Sequence, residues 1–122
     1  MIKENKIVEL TFNFSLQIIA LYKILWQQHE FIISKQLLRS ATSIGANVEE
    51  GNAAQTKRDF IMKMSIASKE ARETKYWLRL LDKSQLVIND YSTPLSSIEH
   101  IINILTKIVK TSQESLKDQS KM

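Results

Sequence analysis

From Phe60 to Leu81 the chain sets Phe60, Met64, Ala67, Ala71, Thr74, Leu78 and Leu81 at alternating steps of four and three residues. Only an α-helix gathers residues so spaced onto one side, because each residue turns about 100° around the axis. A strand would distribute them between its two faces. Punctuation agrees with this reading. Two Gly and one Pro in 122 residues favour long helices over the frequent turns of a sheet protein.

Three more segments carry helical periodicity. The first runs from about Glu4 to Gln28, with one apolar stripe at Ile7, Leu10, Phe14, Leu21 and Ile24 and a second at Val8, Phe12, Ile19, Tyr22 and Trp26. Two stripes side by side cover more of the circumference than one partner helix can hide. Trp26 is expected in the core. A second helix, over 34–52, takes Ser34 as its N-cap, buries Leu37, Ala41, Ile44 and Val48, and stops near Gly51. The third spans 57–83, with Thr56 as N-cap and Asp59 three residues on. The fourth spans 94–116, with Thr93 as N-cap and Pro94 at the first helical position. It buries Leu95, Ile98, Ile102, Leu105, Val109 and Leu116, with Ile101, Ile104 and Ile108 alongside, and its polar end, QESLKDQSKM, is expected to fray. Short connections between four amphipathic helices imply an antiparallel up-down-up-down four-helix bundle, a single domain over 1–122.

A chain of this length can bury one core without disulfides or metal. It contains no Cys, so disulfides, a thiolate nucleophile and Cys-based zinc sites are excluded. The opening MIKENKIVEL mixes charge into its first apolar residues, and no uninterrupted apolar run approaches the ~20 residues of a membrane span. The expectation is a soluble cytoplasmic protein without a membrane partner.

The polar residues of the second helix are less easily placed. Ser40, Ser43, Asn47, Glu50 and Ala54 form a stripe of their own, either a second contact face or a solvated one. Folding helices two and three back on each other near residue 55 brings Arg39 toward Glu70 and Glu73. Such a partly buried ion pair is a device for register more than for stability. Ser43, Gly45 and Ala46 would admit the close approach of another helix, which could offset the ~1 kcal/mol cost of a mid-helix Gly. Together Arg39, Ser43, Asn47, Glu50, Glu70 and Glu73 make a candidate structural polar seam.

The run QLLRSATSIGANVEEGNAAQTKRDFIMKMSIASKEARETKYWLRLL, residues 36–81, resembles the central two helices of the four-helix bundle proteins first noticed in intervening sequences of 23S ribosomal RNA genes. Gln36-Leu37, Arg39, Ser43-Ile44, Asn47, Glu50-Gly51, Phe60, Ala67, Glu70 and Glu73 carry the likeness. The resemblance implies a bundle that assembles as a ring-like homopentamer, similar to the accessory protein of diversity-generating retroelements, a basic pentamer that binds nucleic acid and its reverse transcriptase. It brings no settled biochemical activity with it.

Between Thr56 and Lys83 stand eight basic and four acidic residues, an excess equal to the whole net charge of +4. Lys69, Arg72, Tyr76, Arg79 and Lys83 fall on one face of the third helix, opposite its apolar stripe, with Lys75 at the edge. A ridge of cations with one aromatic suits phosphate contacts, and repetition around a ring would multiply its field. The plain alternative is a solvated helix face. Trp77, Ile66 and Leu80 form a mixed strip suited to an interhelix or intersubunit seam.

Enzyme readings find no support. Neither His29 nor His100 has a Glu three residues before it, as a di-iron bundle requires, and no Arg is followed by a His four to six residues later. No Gly-rich phosphate loop is present. The expectation is a non-catalytic homo-oligomer without cofactor or metal. Its basic face contacts RNA or DNA; alternatively, it is an interaction scaffold for a protein partner.

Overall fold

The computed structural model describes residues 2–120, with side chains from Lys6 to Gln119. It consists of four helices: α1 (Ile2–Gln27), α2 (Ile33–Asn52), α3 (Lys57–Ser84) and α4 (Ser92–Ser120). Each helix packs on the next in sequence, and α1 closes against α4. The α2–α3 contact is the most extensive and α1–α4 the slightest.

The third helix follows its periodicity. Met64, Ala67, Ala71, Thr74, Leu78 and Leu81 are buried, and Phe60 packs half-buried at the edge of the core. On α2, Leu37, Ala41, Ile44 and Val48 are fully buried. Across this contact, partners rise on one helix as they fall on the other: Ser40 with Thr74, Arg39 with Glu70 and Glu73, Gly51 with Met64, Glu50 with Lys63.

The first helix departs from expectation in phase. Its core line is Ile7, Thr11, Phe14, Ile18, Leu21 and Leu25, in steps of four and three. Leu10 is half-buried, Ile24 is exposed, and Trp26 is 49% exposed instead of packed in the core. Thr11 fits the apolar line because its hydroxyl donates to the Ile7 carbonyl at 2.9 Å. Residues Lys6–Gln27 are long and apolar enough to cross a membrane by length and composition, a property missed by looking for an unbroken run. In the bundle their core line is covered by the other helices.

Two helix starts also differ. Ser34 is not the N-cap of α2. Ile32 holds that position, and the Glu30 carboxylate supplies the capping from two residues before it: it accepts from the amides of Ile32 and Ile33 at 3.1 Å and of Ser34 at 2.6 Å, while Ser34 Oγ donates back to the Glu30 carbonyl at 2.7 Å. These are the amides that a helix leaves without internal partners. The fourth helix begins at Ser92, before Thr93; Asp90 Oδ1 accepts from the Ser92 amide at 2.9 Å, and that bond holds the Asp90 carboxyl below its ordinary range. It continues to Ser120, beyond the expected end at residue 116; Lys121 and Met122 lie outside the described residues.

Of the small residues expected to admit another helix, Gly45 lies against the backbone of α1, and Gly51 is packed more tightly still against α3. A Cβ on Gly45 would meet Thr11 O and Ser15 Oγ at 3.4 Å, ordinary contact, and Ala46 is exposed. A Cβ on Gly51 would stand 3.0 Å from Met64 Cε and 3.1 Å from Lys63 Cβ. Gly51 therefore serves packing against α3, and α2 ends one residue beyond it, at Asn52.

Candidate nucleic-acid interface

The Thr56 hydroxyl accepts from the Asp59 amide at 3.1 Å and so starts α3 at Lys57. With the apolar line turned inward, Lys69, Arg72, Tyr76, Arg79 and Lys83 all emerge exposed on the opposite side. Arg72 Nη2 donates to Thr106 Oγ1 at 3.1 Å, which leans the guanidinium toward α4. Lys110, one turn beyond Thr106, shares that exposed face of α4. Lys110 joins the ridge only through the packing of α3 on α4, because which face of α4 meets Arg72 is not set by the α4 sequence alone. Its spacing of four from a residue that Arg72 contacts becomes visible only once α3 and α4 are side by side.

Lys75 stands apart from the others. It is half-buried and pairs with Glu99 at 2.7 Å, so its charge is largely satisfied within the bundle. Among the described residues no carboxylate lies within ion-pair distance of Lys69, Arg72, Arg79 or Lys83. Tyr76 is 52% exposed and meets the Trp77 ring edge-on, with centroids 5.2 Å apart. The ridge thus presents four cations and one aromatic face to solvent.

The polar seam lies on the α2 side of α3. Arg39 Nη1 donates to Glu70 Oε2 at 3.0 Å, and Arg39 Nη2 pairs with Glu73. Glu73 also accepts from Trp77 Nε1 at 3.0 Å. That indole bond, with the help of Arg39, keeps the Glu73 carboxyl below its ordinary range, and the same pairing raises the Arg39 guanidinium. Asn47 Nδ2 donates to the Ser43 carbonyl at 2.8 Å and to Ser43 Oγ at 3.2 Å, so these two serve their own helix. Glu50 pairs with Lys63 at 2.7 Å. The seam is therefore three separate groups, with no convergence on one point. Among the described residues no cluster of His, Asp and Glu is arranged to hold a metal ion.

The α1 surface exposes Phe12 at 55%, Leu16 at 52% and Trp26 at 49%. Trp26 stacks edge-on with Phe31 at 4.7 Å, extending the apolar surface into the α1–α2 turn.

An all-α four-helix bundle with a cationic face on α3 defines the class. The chain belongs to the 23S rRNA-intervening sequence protein family, whose model matches residues 3–119. It is also similar to the crystal structure of a protein of unknown function from the S23 ribosomal protein family of Bacteroides thetaiotaomicron VPI-5482. The two are 43% identical, with a TM-score of 0.83, over 88% of this chain and 98% of that one. No curated protein matches the chain.

Proposed function

We propose that the protein is a non-catalytic, antiparallel up-down-up-down bundle that assembles as a homopentameric ring in the cytoplasm and holds RNA or DNA along α3. The observation that carries this reading is the unpaired state of Lys69, Arg72, Arg79 and Lys83 around an exposed tyrosine. Cations on a surface are usually interspersed with acids that neutralise them; here Glu70 and Glu73 pair with Arg39, and Lys69 acts on Glu73 only through its charge, without an ion pair. Phosphates would displace counterions from these side chains, and Tyr76 offers a base a stacking surface. Self-association is supported by the exposed Phe12, Leu16 and Trp26, which a single copy leaves in water.

Binding of a single-stranded RNA and of a DNA duplex at two ionic strengths tests the reading. Affinity should fall steeply between 50 and 200 mM salt, by about tenfold or more if a few phosphates are contacted. The triple change Lys69→Glu, Arg72→Glu, Arg79→Glu should abolish it while helicity persists. Absence of binding at 50 mM salt would refute the nucleic-acid role and leave the protein-scaffold reading, which the Ile66–Trp77–Leu80 strip beside the seam favours.

A further inference from the structure

We infer that the groove where α1 meets α4 is a site for a small anionic amphiphile, an alkyl carboxylate of medium chain length. The groove has a volume of about 470 Å³, within the range of small-molecule sites. Its floor is apolar: Ile7 is fully buried, and Phe60, Ile104 and Ile108 are each half-buried. It exists because the α1–α4 contact is the slightest in the bundle, so the side chains of the two helices do not close over the core there. Water above such a floor gains few hydrogen bonds, and an alkyl chain replaces it favourably.

Charge decides the kind of head group. Lys6 on α1 and Lys107 on α4 flank the groove, and both are exposed. Among the described residues neither has a carboxylate within ion-pair distance. Thr111 and Ser112 add hydroxyls to the rim. An apolar floor with two ammonium groups and two hydroxyls selects a ligand with a tail and a single anionic head. A cationic amphiphile would meet two like charges, and an uncharged alcohol would leave both lysines unanswered. Repetition in an assembly is not needed, because all contributing residues belong to one copy.

The test is a titration of the full chain with octanoate, followed by amide shifts of isotope-labelled protein. Saturable shifts are expected at Ile7, Phe60, Ile104 and Ile108. Hexanoate, octanoate and decanoate should tighten in order, roughly fourfold for each methylene buried. The double change Lys6→Gln, Lys107→Gln should bring octanoate down to the affinity of octanol, and Ile104→Trp should block both while helicity is retained. Octylammonium binding as tightly as octanoate, shifts centred instead on Trp26 and Phe31, or no saturable shift would overturn the assignment.

Discussion

Gly45 and Gly51 lie six residues apart on α2 and make opposite predictions. An alanine at Gly45 would stand at ordinary contact distance from Thr11 and Ser15, so the gain in helix propensity should prevail and Gly45→Ala should stabilise by about 0.5–1 kcal/mol. At Gly51 the new methyl would press on Lys63 Cβ, which the backbone of α3 holds in place, and Gly51→Ala should destabilise by about 1 kcal/mol. Urea unfolding of the two variants measures both. The Arg39–Glu73 pair makes a pH prediction. Because the folded-state value of Glu73 lies below that of the unfolded chain, its contribution is complete above the usual carboxylate range, near pH 4.3, and is lost as pH falls through the folded value. Arg39 is half exposed, so solvent screening limits the effect to about 0.5 kcal/mol. Glu73→Gln should therefore be less stable than wild type at pH 7 and converge with it as pH falls below the folded-state value of Glu73. Folding the second and third helices back on each other near residue 55 made the pairing of Arg39 with Glu70 and Glu73 legible in the sequence. The indole bond from Trp77 was not visible there, since i to i+4 proximity on a helix says nothing about which rotamers meet.

At the scale of elements, helix starts were the least legible feature, and capping chemistry explains why. Thr56 takes the role its residue type suggests, accepting from the amide three residues on, and Thr56→Ala should cost about 1 kcal/mol. At α2 two candidates compete. Ser34 has the cap-forming side chain, but Glu30 reaches three amides from outside the helix and carries the charge that a helix N-terminus favours. A glutamate four residues before a serine is a pattern that sequence rules for caps do not weigh. Glu30→Ala strands the amides of Ile32, Ile33 and Ser34 beside a carboxylate-sized void and should cost more than the Thr56 change, about 2 kcal/mol. Thermal melts of Thr56→Ala and Glu30→Ala at pH 7 give the order directly. Equal losses would mean that Glu30 holds no more than one amide in solution.

Over the whole molecule, the phase of a helix could be read only where polar residues bound its apolar stripe. On α3 the cations opposite the Met64–Leu81 line leave a single orientation. On α1, apolar residues surround the axis, and sequence spacing cannot say whether the line through Ile18 and Leu25 or the line through Phe12 and Trp26 turns inward. Packing against α2 and α4 chooses the former, and of the latter Phe12 and Trp26 stay about half exposed while Val8, Ile19 and Tyr22 are half-buried. That choice yields the prediction for assembly. Phe12 and Leu16 stand one turn apart and half exposed, and a surface of this kind is stable in water chiefly when a second copy covers it. Sedimentation equilibrium of the wild-type chain should give a multiple of the 14.1 kDa protomer mass. Phe12→Asp with Leu16→Asp should reduce it to a single protomer with helicity unchanged, because neither side chain belongs to the core. Trp26 emission should shift to the red if that assembly normally covers it. A wild-type chain that remains at the protomer mass at high concentration, with Trp26 open to iodide quenching, would contradict the ring and leave α3 to act with four unpaired cations per particle instead of five such sets.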